Sequence, residues 1–263
     1  MNVVVCVKQV PDTEIRIPVR DGRVVEEEIK QYVVNPYDEY AIEEGIRIKE
    51  RFGEGKVTLI TIGPDRAREA LLTGLAMGAD EAIHINDPAL EGSDPYVAAK
   101  LLATAIKKLD YDIILCGKQA VDDDSAYVGI ALAELLGIPH VSVVTKLEIA
   151  EDKKSARAER EVEGGKEVVE TTLPAVITAQ KGLNEPRYPS FRGIRMARKK
   201  PYHTWTLADL GLSPDEVGAK GVATELVNVV PPPERKAGKI IEGDVETAVK
   251  ELVRLLREEA KVI

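Results

Sequence analysis

Runs of β-branched residues alternate along this chain with segments whose apolar positions recur every three or four residues. Val3 to Val7 and Ile113 to Cys116 are continuous apolar runs and Val57 to Ile62 is rich in β-branched residues, as expected of strands covered on both faces. Ala82 to Ile85, Val141 to Val144 and Val176 to Thr178 read as further strands. Helices are predicted between them. Asn35-Pro36-Tyr37-Asp38 opens one that runs to about Arg51, with Asn35 at the N-cap, Pro36 at N1, and Ala41, Ile42, Gly45 and Ile46 facing inward. Others run from Arg66 to Met77 before Gly78, from Asp94-Pro95 through Ile106, and from the loop Gly117 to Asp124 on to about Leu136. Repeated strand-helix-strand units imply an α/β fold with a doubly wound, mostly parallel sheet. Two excursions interrupt the repeat. Arg16 to Glu27, broken by Pro18 and Asp21-Gly22, reads as a hairpin or an ordered excursion, and Arg157 to Thr172, split at Gly164-Gly165, reads as a hairpin.

Ligands of such sheets sit beyond the carboxyl ends of the strands, near the point where strand order reverses. Four segments can lie there: Cys6 to Pro11, Asn35 to Asp38, Ile62 to Pro64, and Gly117 to Val128. Beyond about Asn184 the character changes. Arg187 to Lys200 is basic without a clear period, and Trp205 to Leu210 opens a short helix. Pro231-Pro232-Pro233 reads as an extended arm. Asp244 to Lys261 is a strongly amphipathic helix, with Val245, Ala248, Val249, Leu252, Val253 and Leu256 on one face. That face packs either on a partner or back on the chain's own sheet.

Composition narrows the function. A chain of 263 residues with 44% hydrophobic and 31% charged residues is globular, and long enough for a sizeable core. A net charge of -9 argues against nucleic acid as a partner. No apolar run is long enough to span a bilayer, and the amino terminus lacks the pattern of a secretion signal. The two cysteines, Cys6 and Cys116, each lie within an apolar run; this points to buried thiols in a reducing cytoplasm. His84, His140 and His203 show no ligand spacing, so no metal site is expected. Abundant Glu and Lys with short loops lean towards a thermophile.

The usual dinucleotide, P-loop and nucleophile-elbow motifs are absent. The strongest local signal is the segment Gly117, Lys118, Gln119, Ala120, Val121, Asp122, Asp123, Asp124, Ser125, Ala126, Tyr127, Val128 and Gly129, which follows a buried strand and opens a helix. It reads either as a nucleotide cradle, with glycine allowing close approach and free amides binding an anion, or as an acidic cap on the helix dipole. A metal site at Asp122 to Asp124 lacks the required spacing. Lys181, Arg187, Arg192, Arg195, Arg198, Lys199 and Lys200 form a basic patch that suits an acidic partner, or else a solvated loop. Phe191, one of only two phenylalanines, reads there as a docking anchor or as part of a local core.

Taken together, these segments resemble the beta subunits of electron-transfer flavoproteins, over essentially the whole chain. The resemblance rests on VKQVPD (7–12), VNPYDEYAIEEGIRIKE (34–50), GPDRAREALLTGLAMGAD (63–80), GKQAVDDDS (117–125), the hairpin AEREVEGGKEVVETTLPAVIT (158–178) and LNEPRYPS (183–190). It implies a sheet of adenine-nucleotide-binding, Rossmann-like type and a heterodimer with a homologous alpha subunit that holds most of a redox FAD. It also implies a second nucleotide in this chain, AMP in ordinary members and FAD in electron-bifurcating ones. The contact positions it implies are Cys6, Asn35, Pro36, Tyr37, Asp38, Ile62, Gly63 and the loop from Gly117 to Val128. Leu183, Arg187, Phe191, Arg192 and Arg195 fall where the family recognises its redox partners: a dehydrogenase, and a quinone- or ferredoxin-linked acceptor. The implied division is 1–182 for the nucleotide-binding part, 183–205 for the recognition loop, and 206–263 for a segment and arm packing on the alpha subunit.

The choice between AMP and FAD turns on a few residues. Ala126, Val128, Asp38, the Trp205 to Gly211 stretch and the longer Pro-rich arm resemble the bifurcating group. Asp123 resembles the ordinary one, and Tyr127 fits neither. The balance favours FAD. A stand-alone nucleotide-binding protein of the universal-stress type would carry a late glycine-rich phosphate motif, and an ATP pyrophosphatase a Ser-Gly-Gly loop after the first strand. Neither is present.

Overall fold

The computed structural model describes residues 1–233 and 238–263, so 234–237 of the expected arm lie outside the described residues. It divides into two compact units, Met1–Asn228 and Val229–Ile263.

The first unit is built on a nine-stranded sheet. β1 (Val3–Cys6) is followed by an excursion containing β2 (Gln9–Pro11), the hairpin β3 (Val19–Arg20) and β4 (Arg23–Val24), and β5 (Tyr32–Val34), which pairs with β2. Then come α1 (Pro36–Phe52), β6 (Val57–Ile62), α2 (Arg68–Met77), β7 (Glu81–Ile85), α3 (Pro95–Ile106), β8 (Ile113–Gly117) and α4 (Val128–Leu136). β9 (His140–Ile149), β10 (Ser155–Val162) and β11 (Gly165–Thr172) precede β12 (Val176–Ala179), α5 (Phe191–Ala197), β13 (Tyr202–Trp205), α6 (Leu207–Leu210) and α7 (Gly218–Gly221). The spatial order is β11-β10-β9-β12-β8-β1-β6-β7-β13, parallel from β9 to β13, with β10 and β11 added antiparallel.

This is the expected doubly wound sheet, and alternation along β1 shows how it holds together. Val3 and Val5 join the core under α1 and α2, while Val4 and Cys6 join the core under α3, α4 and α6. The chain runs outward through β1, β6 and β7, then returns to place β8 on the other side of β1. The switch point therefore lies between β1 and β8.

The structure departs from the sequence reading at three places. β9 runs on to Ile149, well past Val144, because β10 folds back on it and lengthens the ladder. Tyr202–Trp205, expected partly as helix, is an edge strand paired with β7, and its helix begins only at Leu207. The basic stretch after Arg187 contains α5, too short to show a period. Ser190 caps it by accepting from the Gly193 amide at 3.0 Å. Gly193 is required there, since a Cβ would stand 2.3 Å from the Ala76 carbonyl oxygen of α2.

The second unit contains α8 (Val245–Glu258), capped by Asp244, which accepts from the Thr247 amide at 3.0 Å. Val245, Val249, Leu252 and Val253 on its apolar face are exposed. Among the described residues, no helix is long and apolar enough to cross a membrane.

Ile114 is fully buried at the centre of the sheet. Ile114→Ala is expected to destabilise the first unit by about 2–5 kcal/mol, read by denaturant unfolding, through lost burial and the cavity left behind.

Candidate functional site

At the switch point, one carboxylate ties the two diverging strands together. Asp38, in the first turn of α1, is buried. Its Oδ2 accepts from the Lys8 amide beyond β1 at 2.7 Å. Its Oδ1 accepts from the Gly117 amide at the end of β8 at 3.0 Å, and from Asn35 Nδ2 at 2.9 Å. Burial pushes the Asp38 carboxyl up to about 7, against the opposing pull of these donors and of the Lys8 charge.

Asn35 occupies the N-cap position, but its side chain does not cap α1. It turns instead to the loop after β8, donating to the Gln119 carbonyl at 2.9 Å and accepting from the Val121 amide at 3.2 Å. This differs from the expected cap because its Nδ2 and Oδ1 are engaged by Asp38 and the loop. Gly117 leaves the necessary room: a Cβ there would meet Asp38 Oδ1 at 2.3 Å and Tyr37 Cβ at 2.7 Å.

The acidic triplet does not cap the helix either. α4 starts at Val128, beyond it, and no side chain caps that end. Lys8 Nζ lies 2.8 Å from Asp122 and 3.2 Å from Asp123. Burial works against the Lys8 ammonium, but these two carboxylates outweigh it and hold its pKa above the usual lysine value. Asp123 also accepts from the Ser125 amide at 3.1 Å, and Asp124 from Gln119 Nε2 at 2.5 Å. The triplet is thus folded into the loop, with Lys8 offsetting one of its three charges and so weakening the repulsion it would exert on an anion. Asp124 and Ala126 hold left-handed backbone, with φ of 50° and 51°, which fixes the bend before α4.

These elements enclose a cavity of about 290 Å³. Its floor is apolar, with Cys6, Ile60, Ile62, Leu102 and Cys116. Asn35, Asp38, Gly117 and the uncapped start of α4 form its polar side. Of the positions expected in a site, Cys6, Asn35, Asp38, Ile62, Gly117, Lys118, Gln119, Ala120, Asp123, Ser125, Ala126, Tyr127 and Val128 line it. Gly63, Val121 and Asp122 instead line a neighbouring cavity of about 680 Å³ beneath the first excursion. Pro36, Tyr37 and Asp124 line neither, though Lys118 Nζ stands 5.2 Å from the centre of the Tyr37 ring. Sequence reasoning missed the wall formed by Ser93, Asp94, Pro95 and Ala98. The Asp94-Pro95 helix start was the available signal, since α3 begins at the same edge of the sheet. It also read Cys116 as packing alone, although this residue faces the cavity. Among the described residues, no cluster of three or more His, Cys, Asp or Glu side chains is arranged to hold a metal ion.

A second region lies on and beside α5. Phe191 and Tyr188 are almost fully exposed, at 96% and 95%, and Ile194 and Met196 are exposed beside them. Arg192 and Arg195 are also exposed. Arg187, by contrast, turns inward: its Nε lies 2.8 Å from Glu43 and its Nη1 2.7 Å from Glu50, both on α1. Leu183 packs against the core.

The fold and its switch-point cavity define a doubly wound α/β protein with a ligand-sized site at the carboxyl ends of its parallel strands. A sequence model of the electron transfer flavoprotein domain matches residues 22–210. The chain is 44% identical to an electron transfer flavoprotein subunit beta of Bacillus subtilis, with the alignment covering 100% of both chains. It is 46% identical to the subunit beta of Thermoanaerobacterium thermosaccharolyticum, over 97% of this chain and 98% of that one. It is also 40% identical to the caffeyl-CoA reductase-Etf complex subunit CarD of Acetobacterium woodii, over 98% of each. This chain belongs to the electron transfer flavoprotein family, on the beta-subunit side.

Gly117→Ala is expected to cost about 1–3 kcal/mol, because the new methyl must displace Asp38 or the Tyr37 backbone. Unfolding midpoints in urea check this. Asp38 makes a separate pH prediction. Its folded pKa lies above its ordinary value of 3.8, so its contribution is fully present below that value and is lost as pH rises towards about 7. The stability difference between wild type and Asp38→Asn should therefore move against wild type between about pH 4 and 7, then level off. A difference that grows with pH would show that the three donors outweigh burial.

Proposed function

We propose that this chain pairs with a homologous alpha subunit and serves electron transfer by holding a nucleotide in the switch-point cavity, the second nucleotide being FAD and the complex being electron-bifurcating. Flavin, when bound, supplies the one- and two-electron chemistry. The chain's own residues bind and orient. The uncapped first-turn amides of α4 and the adjacent Lys118 suit a phosphate group. Asn35 and Asp38 hold the loop in the shape that presents those amides. Ile60, Ile62 and Leu102 give an apolar wall that excludes water from an aromatic ring system.

The observation that carries the reading is this uncapped helix start, facing a cavity at the switch point of an electron transfer flavoprotein chain. FAD is favoured because the two cavities adjoin, sharing Lys8, Ile62 and Ser93. Together they offer room for a ligand longer than a mononucleotide. The caffeyl-CoA reductase-Etf relative favours the bifurcating form. AMP is the second reading, since the smaller cavity alone is about 290 Å³. The exposed patch of Phe191, Tyr188, Ile194 and Met196, flanked by Arg192 and Arg195, suits docking of an acidic redox partner such as a dehydrogenase or a quinone- or ferredoxin-linked acceptor. The two free buried cysteines fit a reducing, cytoplasmic setting.

Co-purification with the alpha subunit, followed by release of cofactors on denaturation, tests the reading. Two FAD per heterodimer are expected; one FAD and one AMP would establish the second reading, and a colourless protein would overturn both. Phe191→Ala is expected to slow electron delivery between partner and heterodimer by 10-fold or more without moving the unfolding midpoint, given about 1.4 kcal/mol or more for an anchor of this kind.

A further inference from the structure

The floor of the switch-point cavity carries a feature that nucleotide binding does not use. β1 and β8 are parallel and in register through Val3–Ile113, Val4–Ile114 and Val5–Leu115. The next step of that register places Cys6 beside Cys116. Both side chains point to the same face of the sheet, in the core under α3 and α4. Both are free thiols, both are buried, and both line the cavity. They are the only cysteines in the chain. Hydrogen bonding to Cys116, together with burial and the nearby Asp38, holds the Cys6 pKa well above its ordinary value, so that thiol is protonated at rest.

Neighbouring strands lie about 4.8 Å apart. Two metal–sulfur bonds of about 2.3 Å placed end to end span about 4.6 Å, close to that spacing. Parallel strands keep the side chains of adjacent in-register residues side by side, so the two sulfurs can face one ion without backbone movement. The surroundings exclude the common hard and borderline ions. Ile60, Leu102 and Val128 line the cavity around the pair, and although Asp38, Asp94 and Asp123 also line it, no third His, Cys, Asp or Glu completes a tetrahedral set with the two sulfurs among the described residues.

From this geometry we infer that Cys6 and Cys116 form a two-sulfur site for a single soft, linearly coordinating d10 cation, such as Ag(I), Cu(I) or Hg(II), at the floor of the cavity. Binding breaks two S–H bonds, forms two metal–sulfur bonds and releases two protons, with no change of oxidation state. Affinity therefore rises with pH. A cation held there stands beneath the space assigned above to a nucleotide, so the two ligands compete. That competition rests on the proposed nucleotide site; the metal site does not.

The full-length chain, stripped of nucleotide, tests the inference with Ag(I) in chloride-free buffer. One equivalent is expected to saturate the protein and to protect both thiols from a disulfide reagent, with two sulfur neighbours seen by X-ray absorption. Cys6→Ser and Cys116→Ser should each lose at least 100-fold in affinity while keeping the circular dichroism of the wild type. Saturation at two equivalents, or protection of only one thiol per ion, would overturn the site; both readings use the wild-type protein and need no variant to fold. AMP added at saturation should slow silver uptake. Stoichiometric two-thiol binding that AMP leaves unchanged would uphold the metal site and count against nucleotide in this cavity.

Discussion

The Asp38 carboxylate does what strand pairing cannot do at this place in the sheet. β1 and β8 pair through Val5 and Leu115, and beyond that their connections leave to opposite faces. The amides of Lys8 and Gly117 emerge into the opening crevice. A single carboxylate accepts from both, at 2.7 and 3.0 Å, and so sets how far the crevice opens. The group comes from the first turn of α1, where the positive end of the helix favours negative charge. Burial works the other way and pushes the carboxyl up to about 7. The crevice is thus held by an acceptor poised between two charge states, and every other part of the site is placed relative to it.

The loop after β8 follows from that constraint. Gly117 cannot carry a side chain without striking Asp38, so the chain leaves the strand hard against α1. Asn35 then anchors the next turn at Gln119 and Val121. With the loop fixed by these contacts and by Lys8 on the acidic triplet, no residue is left to cap α4. Capping would have been the cheaper arrangement for stability, worth about 1 kcal/mol. Its absence at α4, beside a capped α3, leaves first-turn amide donors at the cavity without a side-chain partner.

The strands and long helices were legible in the sequence because burial on both faces leaves uninterrupted β-branched runs, and amphipathic helices leave a stripe. The two hairpins were legible from Asp21-Gly22 and Gly164-Gly165. What was not legible depends on distant partners. Asn35 carries every local sign of a cap, and only the loop more than eighty residues later shows why its side chain turns away. The acidic triplet looked like a counter to the helix dipole, yet its cationic partner is Lys8, 114 residues earlier in the chain than Asp122. α5 has too few residues for a period, and its position is set by Gly193 against α2. Arg187 read as part of a free basic patch, because nothing local reveals that Glu43 and Glu50 wait for it on α1.

That last contact gives α1 a second task. Its first turn carries Asp38 at the cavity, while further along Glu43 and Glu50 grip Arg187, and Glu44 accepts from Asn184 at 2.9 Å. Glu43 is almost wholly buried, and although burial opposes its charge, Arg187 and Arg47 hold its pKa below the usual value. A buried carboxylate of this kind needs its partners, and Arg187 shares that task with Arg47. The segment 184–187 is therefore fastened to α1 immediately before Tyr188 and Phe191 emerge into solvent. Holding an exposed apolar patch on so fixed a base reduces the ordering cost of any contact it makes. It also ties the patch to the same 17-residue helix that sets the crevice, so the spacing between the two is fixed by one rigid element.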